Sequence, residues 1–260
     1  MPRRSSHRER LDHTISVVQQ RHGPQALRRG AARAAVPHIS TGFAALDDAL
    51  GIGGIPRGRV TVLAGAPTSG KRTLAALILA QAQERGRRPV ALIDLEGACD
   101  ADYLERCGVR LDGLLVGRPL DARQALDLAV STAERAELAA VVFDHWSALP
   151  SDAALRRYAA AALDRLATLL ARSNVAVVVL EDTRAGWLER LSAWADPAQS
   201  ALAHHAALRL ALRREEWLTL GPDVRGYRVG VAVEKNKLGA EGGSATVEIR
   251  FNGTVRGAGL

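Results

Sequence analysis

The chain is poor in the features that mark several large protein classes. It has two cysteines in 260 residues, Cys99 and Cys107, and they do not form a Cys-x-x-Cys pair. A disulfide scaffold is therefore not expected, and a reducing cytoplasmic setting fits. No apolar run approaches the ~18 residues of a membrane span, so no membrane role is expected. The opening MPRRSSHRER has no apolar stretch of the kind found in a secretion signal. There is no internal repeat, no long low-complexity segment, and no Ser-His-Asp or zinc-ligand pattern. Lysine is also scarce: only Lys71, Lys235 and Lys237, among 35 basic side chains. A lineage that writes arginine almost everywhere marks, with its few lysines, places that need a compact ammonium, unless these fall at random.

What is present starts with charge. The net charge is +7 and the sequence pI about 10.2. Most of this excess lies in residues 1–35, where eight arginines face only Glu9 and Asp12. A basic arm suits nucleic acid or an acidic partner, and a solvated tail accounts for it equally well. Residues 9–22, ERLDHTISVVQQRH, predict a helix with Leu11, Ile15 and Val18 on one face. The division expected is a basic arm with its helix over 1–36 and a main domain over 37–260. With 47% apolar residues the main domain can bury a large core.

From Arg59 onward, apolar strands alternate with helical patterns. RVTVLAG, PVALIDL, AAVVFD and NVAVVVLED read as strands. KRTLAALILAQAQERG, ADYLERCG, DARQALDLAVSTAERA and ALRRYAAAALDRLATLLARS read as helices. Uniformly apolar strands in such alternation predict an α/β fold with a mostly parallel central sheet covered on both faces. The last part, with ALRLALRREEWLTL, GYRVGVAVEKNK and ATVEIRFNG, predicts a meander of strands at the end of the sheet. Trp217 and Phe251 read as core, and so, more than as a site residue, does His145. His204 and His205 read as strand neighbours on opposite faces.

The sharpest motif is GAPTSGKR, Gly65–Arg72. A GxxxxGK match by composition alone is expected on the order of 0.03 times in this chain. It also sits between a strand and a helix, where backbone N–H groups and the helix N-terminus receive phosphate. Gly65, Ala66, Pro67, Thr68, Ser69, Gly70, Lys71, Arg72 and Thr73 are the candidate phosphate-binding residues, with Lys71 reaching the terminal phosphates. Two later strands end in acids. Asp144 is placed to hold Mg²⁺ through water, and Glu96 to align or deprotonate an attacking water.

In order and spacing these pieces resemble the bacterial RecA recombinase family. ISTGFAALDDALGIGGIPRGRV, GAPTSGKRTL, LIDLEGACDADY, VVFDHWSALP, ALRL and VEKNKLGA are collinear with it over roughly residues 10–260. The resemblance implies a RecA-like P-loop core that binds ATP with Mg²⁺, assembles with copies of itself through the N-terminal helix, and binds single-stranded DNA in recombination, repair and the DNA damage response. It implies that Lys71 and Glu96 are catalytic and that Asp144 carries the metal. It implies that Asp100 and Tyr103 line the adenine pocket, and that Lys235 and Lys237 reach the neighbouring subunit's ATP. All three lysines then fall on phosphate-contact positions.

The departures from the family fall at the coupling parts. Arg72 replaces the hydroxyl residue that ligates Mg²⁺, and a guanidinium has no acceptor to offer a metal. It could contact phosphate in the metal's stead or pair with Asp144 and close the metal site. Thr73 is one residue on, turned away by about 100°. Weak Mg²⁺-dependent hydrolysis is expected. Glu181 and Asp182 replace an Asn-Gln pair that senses the outermost phosphate, repulsive to it unless Arg72, Arg184 or a metal compensates. The first DNA loop is reduced to SALPSD, and the family's C-terminal domain is not expected after the meander. The second loop carries Arg184, Trp187, Arg190 and Trp194 as DNA-binding candidates. Trp187, Leu188, Leu191 and Trp194 share a helical face that could stack on bases, dock a protein or pack on the domain. The competing reading is a non-enzymatic RecA-like accessory, ImuA-like, in damage-tolerance DNA synthesis, with RecA or a repair polymerase as partner.

Overall fold

The computed structural model describes residues 3–23, 27, 36–84, 86–134, 137–149, 152–183, 197–251 and 255–257. The chain divides into two compact units, Met1–Ala35 and Val36–Leu260. The first contains α1 (Arg3–His22), six residues longer at its start than the apolar pattern indicates. Gly23 ends it in a left-handed conformation, φ 92°, with its N–H on Gln19 O. Leu11 and Val17 lie about half exposed along α1.

The second unit is built on a nine-stranded sheet in the order β11-β10-β9-β8-β3-β7-β6-β4-β5. The strands are β3 (Val60–Gly65), β4 (Val90–Asp94), β5 (Leu114–Gly117), β6 (Ala140–Asp144), β7 (Ala176–Asp182), β8 (Ala206–Leu220), β9 (Asp223–Asn236), β10 (Ser244–Phe251) and β11 (Val255–Gly257). A small antiparallel pair, β1 (His38–Ile39) with β2 (Ile55–Pro56), precedes them. From β5 across to β8 every neighbouring pair is parallel, and β8 to β11 form the antiparallel meander. The predicted α/β class and the terminal meander are thus what the structure shows.

The strands are apolar throughout because both faces are covered. On β3, Leu63 joins one core, while Val62 and Ala64 join the other. On β7, Val178 and Leu180 face the first core, and Val177 and Val179 the second. The first face packs α2 (Ala44–Leu50), α3 (Lys71–Glu84) and α4 (Ala101–Arg106) through Leu46, Leu50, Leu74, Ile78 and Leu104. The second packs α5 (Ala122–Glu134), α6 (Ala153–Leu170) and α7 (Pro197–His205). α5 buries Ala122, Ala125, Leu126, Ala129, Val130 and Ala133, the three-four spacing of one helical stripe. α6 starts where Asp152 accepts hydrogen bonds from Ala154 N and Leu155 N.

Three sequence readings change, and one strand is added. LLVG at 114–117 is a strand, β5, too short to show a period and hidden between two helical patterns. His204 and His205 close α7 rather than lying in a strand. Trp217 is not core: it is 50% exposed on the β8–β9 ribbon, stacked under the Arg214 guanidinium at 4.3 Å. His145, read as core, stands in the site described next. Among the described residues no helix is long and apolar enough to cross a membrane.

Candidate functional site

β3 is internal to the sheet, paired on both sides, and its last residue opens the Gly-rich loop. Gly65 is obligatory there: a Cβ would lie 2.5 Å from both Leu212 O and Ser69 Oγ. Gly70 takes φ 96° and lets the loop close over Tyr227 and Val229. Thr68 adopts φ 63°, rare for a residue with a side chain. Ala66, Pro67 and Thr68 form the exposed rim, and α3 begins at Lys71. The first N–H groups of a helix lack intrahelical acceptors and point at whatever sits in such a loop. Ser69 Oγ is buried with no hydrogen-bond partner. A cradle of N–H groups with an orphaned buried hydroxyl fits the phosphates of a nucleotide.

Three more strand ends converge on this loop. The register sets Asp182 of β7 opposite Gly65, and Asp144 of β6 opposite Asp94 of β4. Asp94 is buried and accepts from Ala98 N and Cys99 N, so it shapes the turn that carries Glu96. The charged groups form one connected chain. Lys71 Nζ donates to Gly65 O at 2.8 Å and Ala66 O at 2.9 Å, and lies 2.7 Å from Asp182 Oδ1. Asp182 Oδ2 is 3.0 Å from His145 Nε2, and His145 Nδ1 is 2.7 Å from Glu96 Oε2. The same Glu96 oxygen is 3.2 Å from Arg72 Nη2, and Arg72 Nε is 2.9 Å from Asp144 Oδ2.

Burial pushes the Asp144 carboxyl up from its ordinary value, and the Arg72 guanidinium pulls it part of the way back. For Arg72, burial works against the charge, but the attraction of Asp144 and Glu96 outweighs it and holds the guanidinium more firmly protonated. Of the two outcomes open for Arg72, the structure has the ion pair. Mg²⁺ does not fit these residues as they stand. Asp144 is covered by a cation that has no acceptor to offer, and among the described residues no three His, Cys, Asp or Glu side chains cluster as metal ligands.

Thr73 is turned away from the loop. Its buried hydroxyl meets Tyr103 OH at 2.6 Å and Tyr227 OH at 2.7 Å, and burial raises both phenol pKa values. Asp100 caps α4, accepting from Tyr103 N at 3.1 Å. Glu181 is compensated by Arg209, which also holds Glu234.

Lys235 and Lys237 are not brought to this loop. Lys235 pairs in register with Arg209, which pairs with Val62, so it sits ~10 Å short of Gly65 along the strand direction. Their ammonium groups donate to Ala203 O and His204 O, carbonyls in the last turn of α7. Arg184, Trp187, Arg190 and Trp194 lie outside the described residues.

Two members of the site were not legible as such. His145 follows Asp144 in a left-handed conformation, φ 81°, and that turn aims its ring between two acids. Its place directly after a strand-end acid was the available signal. Among the described residues the charged partners of Asp182 are Lys71 and His145 rather than Arg72, because β7 adjoins β3 and its end faces the loop rather than the tip of Arg72.

Comparison with known proteins places these features in one family. The profile described as the RecA N-terminal domain matches residues 9–256. Protein RecA of Thermus thermophilus is 34% identical over 266 aligned residues, covering 95% of this chain and 77% of that protein. Protein RecA of Nitratidesulfovibrio vulgaris is 34% identical, covering 89% and 69%. Protein RecA of Acidothermus cellulolyticus is 33% identical, covering 93% and 74%.

Proposed function

The chain belongs to the RecA N-terminal domain family, and from that premise we propose a nucleotide-binding protein of DNA recombination and repair with weakened ATP hydrolysis. The observation that carries this reading is the Gly-rich loop at the start of α3, with its orphaned Ser69 hydroxyl and Lys71, facing three strand-end acids. Backbone N–H groups of the loop, Ser69 and Lys71 hold the phosphates. Tyr103 and Asp100 flank the base. Bound ATP supplies a phosphoryl group whose transfer to water is the family's chemistry.

Weak hydrolysis follows from what the polar residues already touch. Glu96 would take a proton from water, but its Oε2 faces both Arg72 and His145. An acceptor already held by a guanidinium and crowded by an imidazole is a poorer base. Asp144 is paired with Arg72 and does not present a free carboxylate to a metal. Single-stranded DNA is proposed to bind through Arg184, Trp187, Arg190 and Trp194. Residues 1–36 are proposed as the arm through which the chain assembles with another copy, supported by the exposed Leu11 and Val17 of α1. Lys235 and Lys237 would act on that neighbour. The closed ion chain equally supports the accessory reading, in which RecA or a repair polymerase is the partner and hydrolysis is dispensable.

The test is nucleotide binding and ATP hydrolysis, with and without single-stranded DNA and Mg²⁺, in wild type, Lys71→Ala and Arg72→Thr. Wild type should bind nucleotide and hydrolyse it slowly, Lys71→Ala should lose binding, and Arg72→Thr should gain at least tenfold in Mg²⁺-dependent turnover. Wild-type turnover unchanged by Arg72→Thr would refute the assignment of the defect. DNA-stimulated hydrolysis in either form favours the recombination reading over the accessory one.

A further inference from the structure

The loop's lysine is already neutralised by a carboxylate that the fold supplies. Lys71 has three ammonium protons and three acceptors, namely Gly65 O, Ala66 O and Asp182 Oδ1. Asp182 is not a loosely placed acid. Its backbone N–H donates to Ser147 Oγ at 2.9 Å, that hydroxyl donates back to Asp182 O, and Thr183 N continues the pairing to Gly65 O. The carboxylate is thereby aimed across the strand ends, with Oδ1 on Lys71 and Oδ2 on His145. Its side chain is 22% exposed, so water screens it only in part.

A nucleotide's inner phosphates would rest on the loop N–H groups and the orphaned Ser69 hydroxyl, whereas the outermost phosphate would depend on Lys71. Its neighbours here would be Asp182, Glu96 and Asp144. Among the described residues, Arg72 is shared between Asp144 and Glu96, and Arg214 reaches only the rim, with Nη1 3.5 Å from Thr68 O. A third phosphoryl group would add negative charge where a fixed anion already stands and where no metal is accommodated.

Building on the reading of this loop as a nucleotide site, we infer that Asp182 acts as an internal substitute for the outermost phosphate, so that the chain selects nucleoside diphosphates over triphosphates. Asp182 is then a specificity determinant, and its bias against the triphosphate adds to the weak hydrolysis proposed above.

The experiment is calorimetric titration of the full chain with ADP and with the non-hydrolysable β,γ-imido analogue of ATP, with and without Mg²⁺. Wild type should bind ADP at least tenfold tighter than the triphosphate in both conditions. In Asp182→Asn, which keeps the shape and removes the charge, triphosphate affinity should rise at least tenfold while ADP changes less than threefold. Equal or tighter triphosphate binding by wild type overturns the inference and leaves the nucleotide site standing. An unchanged ratio in a folded Asp182→Asn also overturns it. No binding of either nucleotide to wild type sinks both the inference and the nucleotide site. The wild-type ratio needs no variant, so the test holds even if Asp182→Asn is unstable.

Discussion

Removing Arg72 should expose how much of the closed site rests on one ion pair. Its guanidinium is 49% exposed, while the Asp144 carboxylate it touches is only 9% exposed. Breaking a fully buried pair by deleting one partner costs about 3–5 kcal/mol, and deleting an exposed pair typically costs 0.2–1 kcal/mol. With one partner buried and the other half in water, Arg72→Ala should lose about 2 kcal/mol at pH 7. For a chain of this size that is a fall of roughly 4–8 °C in Tm.

The sign with pH is fixed by Asp144. Its folded pKa lies above the ordinary carboxyl value because of burial, so the ionised form opposes folding. Its contribution to stability is full below the unfolded pKa and is lost as pH rises through the folded one. Without Arg72 the folded value rises further. The deficit of Arg72→Ala should therefore be complete at pH 7 and shrink toward pH 4. Urea denaturation of the single variants and of Arg72→Ala/Asp144→Asn gives the coupling, which should be about 1–2 kcal/mol because the amide removes the orphaned charge. A deficit below about 0.5 kcal/mol, a deficit independent of pH, or additivity in the double variant would refute the reasoning.

Two further outcomes follow from the core beneath the loop. Thr73→Val keeps shape but removes the buried Oγ1 that two phenol hydroxyls share, leaving them to each other and to the Cys107 thiol; thermal melts should show a loss of about 1 kcal/mol. Burial pushes the Cys107 thiol up to about 11, so its stabilising neutral form persists through the ordinary thiol value of about 8.5 and is lost as pH climbs toward that folded value. Over that range the melting temperature of wild type should fall more than that of Cys107→Ala, and parallel falls would count against the shift.

The sheet could be read from the sequence because its strands are buried on both faces, which leaves unbroken apolar runs such as VTVLA and VAVVVL. The loop could be read because GxxxxGK needs glycines at Gly65 and Gly70 for reasons of space and backbone angle. What escaped depends on the third dimension. β5 is four residues at an outer edge. Trp217 is apolar by type but lies on a ribbon that runs past β3, whose pairing with β8 ends at Leu212. The partner of Asp182 is decided by strand order, since β7 lies beside β3 although more than a hundred residues separate them. No period or motif encodes that adjacency.

The placement of β3 between β7 and β8 also sets how the site can move. Amides of an internal strand exchange with solvent only when the sheet opens as a whole, whereas those of an outer strand exchange by fraying. Val60–Gly65 should thus be among the last amides to exchange and Leu114–Gly117 among the first. The floor of the phosphate loop then behaves as part of the global folding unit. Whatever admits or releases a ligand must be motion of the rim, Ala66–Thr68, and of the side chains around it.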